Sequence, residues 1–216
     1  MSTGLRERRK HETRLAISDV ATALFVERGF DAVTIAQVAG AAGVAKMTVT
    51  NYFPRKEDLV FDRAEAIIES LAAAVARRAP GESYLAAIRR EYAAAAARRD
   101  VTLGLSSPAF AQMITGSQVL AGRGLEIQDG RERALGDAIA AETGEDGPQQ
   151  RVAAALLCSV HRVLTAEGLR RSMADQPRAE IAAYLAAAAE RAFDLLEPSL
   201  GGYGARPARV RPPAAS

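Results

Sequence analysis

The segment that most limits what this chain can become is Thr34-Ile35-Ala36-Gln37-Val38-Ala39-Gly40-Ala41-Ala42-Gly43-Val44-Ala45-Lys46-Met47-Thr48-Val49-Thr50-Asn51-Tyr52-Phe53. It reads as two short helices around one tight turn. Thr34 is a capping residue, and Gln37, three positions on, can reach back to complete a capping box. Ile35, Val38 and Ala39 then share a helical face. Gly43 stands where the helix must stop and the chain must turn through left-handed dihedrals. In the second helix Val49 and Phe53 are four apart and point inward together. Lys46, Met47, Thr48, Thr50, Asn51 and Tyr52 are left facing outward. A helix with such a face of basic, small polar, amide and phenolic groups fits the major groove of DNA.

The flanks agree. From about Arg6 to Arg28 the residues Ile17, Val20, Ala21, Leu24 and Phe25 keep the helical period, and Gly29 ends the helix. Phe30, Val33 and Ile35 can close a three-helix core beside it. Pro54 stops the second short helix, and Glu57 and Asp58 suit the first turn of another, where the macrodipole favours anions. Through Lys56 there are nine Lys/Arg against five Asp/Glu, in a chain of 28 and 26, so the remainder is net acidic. The basic half is the one that would meet a polyanion. Within it, Arg6-Glu7-Arg8-Arg9-Lys10 reads either as a solvated helix start or as an arm reaching phosphates. His11 reads as a surface residue.

Leu24-Phe25-Val26-Glu27-Arg28-Gly29-Phe30, the segment Thr34 to Val44, and Asn51-Tyr52-Phe53-Pro54-Arg55-Lys56-Glu57-Asp58-Leu59 together resemble the DNA-binding domain of the TetR family of transcriptional repressors. The likeness covers roughly residues 10 to 60. It implies an all-α homodimer that binds a palindromic operator in double-stranded DNA and releases it when a small-molecule effector binds the C-terminal domain. It also implies that Tyr52 and Lys56 grip phosphates. Thr34, at a helix N-terminus, is a further phosphate candidate. Lys46, Met47, Thr48, Thr50 and Asn51 are the groove-facing candidates: Lys46 for guanine, Asn51 for adenine, the Thr methyls for thymine. Two departures stand out. Ala45 replaces the frequent Ser before the recognition helix, removing a cap worth about 1 kcal/mol. Met47 and Val49-Thr50 replace a frequent Gly and Leu-Tyr pair, so the operator sequence does not carry over.

The expected organisation is a helix-turn-helix domain over residues 1–56, a helical effector-binding and dimerisation domain over 57–198, and a disordered tail over 199–216. Helices are expected from Lys56 to about Arg78, Glu82 to Arg99, Pro108 to Ile114, Gln118 to Glu142, Gln149 to Met173 and Arg178 to Leu196. The last two carry broad apolar faces, and the family resemblance implies that they form a four-helix dimer interface. Two recognition helices must lie about 34–36 Å apart to enter successive major grooves. Phe61, Tyr84, Tyr92, Phe110, Met113 and His161 are candidates for lining an effector pocket; ordinary core packing is the competing reading of each, because apolar pocket and apolar core look alike. Thr165 shares the face of His161, and the pair is a candidate for hydrogen bonding a ligand or a dimer partner, with a satisfied buried histidine as the competing reading.

Other classes find little support. Two histidines and one cysteine lack the spacing of a zinc site. There is no nucleophile elbow or phosphate-binding Gly loop, so no catalytic residue, metal or cofactor is expected. The alternative is a helical ligand-binding module, or an enzyme of the same fold, without operator binding. The first 14 residues have no apolar core of a signal peptide, no uninterrupted apolar run suggests a membrane span, and the single Cys158 suits a reducing cytoplasm.

Overall fold

A computed structural model describes residues 2–145 and 147–205, with side chains from Arg6 onward. The described residues hold helices and turns and no strand. The helices are α1 (Ser2–Arg28), α2 (Ile35–Ala41), α3 (Lys46–Tyr52), α4 (Ala64–Ala76), α5 (Tyr84–Ala97), α6 (Pro108–Gly116), α7 (Gln118–Thr143), α8 (Pro148–Met173) and α9 (Arg178–Leu200), with 3-10 turns at Lys56–Leu59 and Val101–Leu103. The expected all-α class is what forms.

The chain divides into two compact units. The first comprises residues up to Ala66 together with Pro108–Glu126; the second comprises Ile67–Ser107 and Ile127 onward. In the first, Ile17, Ala21 and Phe25 of α1 are buried with Phe30, Val33, Val38, Ala39, Val49, Phe53 and Leu59. Phe25 and Phe30 meet edge to face at 5.1 Å. The expected boundary at residue 56 cuts through this unit, because α6 packs on α1 and the start of α7 is tied to the segment after α3. Arg123 pairs with Asp58 at 3.0 Å, and Arg55 pairs with Glu126 at 2.8 Å.

In the second unit α5, α8 and α9 pack together around Tyr84, Leu85, Ile88, Tyr92, Leu157, Leu164, Ile181, Leu185 and Phe193. The 3-10 turn Val101–Leu103 lies against α8 at a point where both backbones approach through glycine. A Cβ on Gly168 would run into the Leu103 carbonyl, and one on Gly104 would run into Thr165. Ser172 Oγ seals the contact by donating to the Gly104 carbonyl at 3.0 Å.

Two expectations are corrected. No helix continues from Lys56 to Arg78. A 3-10 turn ends at Leu59, and α4 begins only at Ala64. The carbonyls that a continuing helix would use are taken by α1: Ser18 Oγ donates to Leu59 O at 2.8 Å, and Arg14 Nη2 donates to Asp62 O at 3.1 Å. Nor is the chain irregular after Pro198. Pro198 sits inside α9, which runs to Leu200, and turns follow to Gly204. The amide of Tyr84, an orphan donor at the start of α5, donates to Tyr203 O at 3.2 Å. Arg78 Nη2 donates to Gly204 O at 3.1 Å, and Tyr203 meets Tyr84 edge to face at 5.4 Å. These orphan donors recruit 199–205 into the fold; the rest of the expected tail, 206–216, lies outside the described residues. α8 is long and apolar enough to cross a membrane by composition, with a mean hydropathy of 1.4 over its most apolar window. Its Ala153, Ala154, Leu157, Cys158, Val160 and Leu164 belong to the core of the second unit, which accounts for that apolarity without lipid.

Candidate nucleic-acid interface

The interface is built from the capping box outward. Thr34 caps α2 as its sequence promises: the Gln37 amide donates to Thr34 Oγ1 at 3.3 Å, and the Thr34 amide donates to Gln37 Oε1 at 2.8 Å. After α2, Gly43 turns the chain at φ +66°. Ala45 stands at the N-cap of α3 and makes no side-chain cap bond. Val49 and Phe53 are fully buried, which fixes the rotation of α3. Lys46, Met47 and Asn51 are consequently exposed, Met47 at 69%, and Thr48, Thr50 and Tyr52 are half-buried. Thr50 Oγ1 donates to its own helix at Met47 O, 3.1 Å away, leaving its methyl and an oxygen lone pair for a partner.

The phosphate candidates are held differently from one another. The Lys56 ammonium bonds the Phe30 carbonyl, approaches Asp31 O at 3.5 Å, and lies 4.4 Å over the Phe30 ring. Desolvation lowers its pKa, only partly opposed by Asp31 and Glu57. One of its three donors remains for a phosphate. Tyr52 anchors through its backbone, its carbonyl accepting from Arg14 Nη1 at 2.7 Å. Arg14 also lies 4.4 Å over the Phe53 ring. Sequence reasoning missed Arg14 as the clamp that fixes the end of α3, though it lies one turn before Ile17 and Ser18 on the inward side of α1. A surface concavity of about 290 Å³ is lined by Glu7, Lys10, His11, Arg14, Asn51 and Tyr52. It sets Lys10 and Arg14 of α1 beside the exposed end of α3, with Glu7 and His11 in the same lining. The basic run Arg6 to Lys10 is helical and exposed, a continuation of α1.

A tight turn through Gly43, a recognition helix with a polar outer face and neighbouring cations define a helix-turn-helix DNA-binding protein. Residues 17–62 match the model of the bacterial regulatory proteins of the tetR family. Across 94% of its length the chain is 30% identical, over 212 residues, to the HTH-type transcriptional regulator TcmR of Streptomyces glaucescens, covering 91% of that protein. The chain belongs to the TetR family and is a DNA-binding transcriptional regulator. Solved structures share the fold at lower identity. NalD, the secondary repressor of the MexAB-OprM multidrug efflux pump in Pseudomonas aeruginosa, is 18% identical, with 86% of this chain and 97% of that one covered and a TM-score of 0.52. GusR of Salmonella enterica is 19% identical, with 88% and 96% covered and a TM-score of 0.52.

The effector candidates are divided between the two units. Phe61, Phe110 and Met113 fall in the first unit and are half-buried; Tyr84, Tyr92 and His161 fall in the second and are buried. Tyr84 is occupied by Tyr203 and by Arg78, whose guanidinium lies 4.1 Å over its ring. Tyr92 and His161 do meet, edge to face at 5.0 Å. The Thr165 hydroxyl donates to Thr102 O at 3.4 Å. Burial, with some help from Arg131, pushes the His161 imidazolium down to a pKa of about 3, and burial pushes the Cys158 thiol up to about 12. Among the described residues no group of three or more His, Cys, Asp or Glu is arranged to hold a metal ion.

Proposed function

We propose that this chain acts in the cytoplasm as a homodimeric repressor of a palindromic operator, released by a small-molecule effector. The observation that carries the DNA half is the rotation of α3: burial of Val49 and Phe53 leaves Lys46, Met47 and Asn51 open to solvent. Lys46, Met47, Thr48, Thr50 and Asn51 read bases, and Thr34, Tyr52 and Lys56 hold phosphates, with Lys10 and Arg14 adding charge alongside. Dimerisation is supported by an uncovered apolar stripe on α8, where Val152 and Val163 are each 57% exposed and Leu156 lies between them. Tyr184 and Leu195 are likewise exposed on α9, Leu195 at 82%. Side chains of that kind in that number favour burial against a second copy.

α7 suits the coupling. It is one continuous helix whose Arg123 and Glu126 hold Asp58 and Arg55, just after α3. An effector that binds one placement of α7 more tightly than another shifts the population of DNA-competent dimers by that difference in affinity. The test is a gel shift with duplex from beside its own gene, using Tyr52→Ala and Asn51→Ala as controls. Wild type should bind at least tenfold more tightly than either variant, with a steep salt dependence. Equal, weak binding by all three overturns operator recognition.

A further inference from the structure

The second unit contains a buried cation with no ion-paired acid among the described residues. Arg131 of α7 is 4% exposed. Its Nε donates to the Ile67 carbonyl at 3.1 Å, and its Nη1 has no hydrogen-bond partner among the described residues. Among the described residues the ionisable side chains within its electrostatic reach are the Cys158 thiol and the His161 imidazole, and burial favours the neutral form of both. A buried guanidinium left so is costly, and proteins normally answer it with a carboxylate.

Two further buried groups share the deficit. Tyr92 OH and His161 Nε2 are both without partners. They belong to different helices, α5 and α8, and their rings are in contact at 5.0 Å. Arg131 lies close enough to influence both Cys158 and His161 electrostatically. The helix register explains why. α7 and α8 are joined by a short connection, which makes them antiparallel neighbours. They come together at Gly136, where a Cβ would stand 3.7 Å from that of Ala154. Counting back along α7 and forward along α8 from that contact, Arg131 falls near the level of Cys158, in keeping with the electrostatic influence of each on the other. Phe193, 6.1 Å from Tyr92 and edge to face with it, adds an apolar wall. Buried polar groups without partners are exceptional in native proteins. Here two of them, on α5 and α8, are in contact with each other, and one of the two lies within the electrostatic reach of a buried guanidinium.

We infer that the effector of this regulator is an organic anion, an aromatic carboxylate, bound with Arg131 as its counter-charge and Tyr92 and His161 as hydrogen-bond donors. This rests on the regulator reading above and names the ligand class it leaves open. The neutral imidazole can donate from Nε2, and Tyr92 from its hydroxyl, so all three groups present hydrogens to one carboxylate. The aromatic surroundings accept a flat apolar body behind it.

The experiment compares 2-naphthoate and salicylate with their uncharged amides, 2-naphthamide and salicylamide, by thermal shift on the full chain. At about a hundredfold over its Kd an acid should raise the Tm by roughly 5–10 °C, with the matching amide giving much less. Arg131→Met should lose at least about tenfold in affinity for the acid, the scale of one hydrogen bond to a charged group. Without ligand its Tm should equal or exceed that of wild type, because an unbalanced buried charge has been removed. Tyr92→Phe keeps the ring and should weaken the acid while leaving the free protein as stable as before, which keeps the test valid should the Arg131 variant fold poorly. Equal shifts by acid and amide, no shift by either acid, or undiminished acid binding in Tyr92→Phe each overturn the inference. Gel shifts on the same samples separate the two claims: if wild type binds its operator duplex and no acid acts, the ligand class fails and the regulator reading stands.

Discussion

Arg14→Ala should loosen the recognition helix without touching a base. Arg14 makes two charge-assisted bonds to backbone carbonyls, 2.7 Å to Tyr52 O and 3.1 Å to Asp62 O, and stacks 4.4 Å over Phe53. Bonds to a charged donor contribute about 1.5–3 kcal/mol each, and a partly exposed cation–π contact contributes about 0.5–1 kcal/mol. Both bonds are part-buried, so water can replace some of what is lost, and we expect about 2–3 kcal/mol. That cost falls on the end of α3, where the Phe53 amide donates to Val49 O at 2.8 Å. Native-state hydrogen exchange at Phe53 reads it directly: protection should fall about 30–150-fold, the same energy expressed as an opening constant. Arg14→Lys keeps one point charge and should recover part of the loss. Protection of Phe53 unchanged within a factor of three in Arg14→Ala would refute the clamp.

Acid should destabilise the protein through His161. Its pKa is 6.5 in a model peptide and about 3 when folded, so the unfolded chain takes up a proton first. The stability that the neutral ring supports is fully present above about pH 6.5 and is lost as pH falls toward 3, at up to about 1.4 kcal/mol per pH unit. His161→Gln should flatten the stability–pH curve of urea unfolding in that window, and superimposable curves would contradict the burial. Gly168→Ala should lower stability by at least about 2 kcal/mol, since the new methyl meets the backbone carbonyl of Leu103 and neither chain can yield cheaply; a Tm within 2 °C of wild type would refute it. Ala45→Ser should add about 1 kcal/mol by supplying the missing cap of α3, read in urea unfolding, and no gain would mean the helix start is already satisfied. Val163→Glu on the uncovered stripe of α8 should shift sedimentation from dimer to monomer with little change in helicity.

The DNA-binding half was legible because its signals are local. Thr34 and Gln37 lie three residues apart, Gly43 occupies a left-handed turn, and Val49 and Phe53 face inward by helical period alone. The ends of elements were less legible wherever distant side chains decide them. The helix expected from Lys56 yields to a 3-10 turn because Ser18 and Arg14, about 40 residues earlier, capture the carbonyls it needs. The fold continues past Pro198 because Tyr84 and Arg78 offer donors to Tyr203 and Gly204. The effector candidates were chosen as large or aromatic residues, and periodicity does not say which of them meet. Helical spacing puts His161 and Thr165 on one face, but it does not reveal that the ring in contact with His161 is that of Tyr92, on another helix. Arg131 drew no notice, since a charge on a helix reads as solvated until its neighbours are known.

The account stands most directly on the outer face of α3 as the base-reading surface. The decisive measurement is the affinity of wild type and of a Thr48→Ala, Asn51→Ala double variant for an operator duplex and for a scrambled duplex, across a range of salt. Loss of base contacts should abolish most of the preference for operator over scrambled sequence, while the slope of log K against log salt, set by phosphate contacts, stays nearly the same. A double variant that keeps the full preference for its operator would contradict the account.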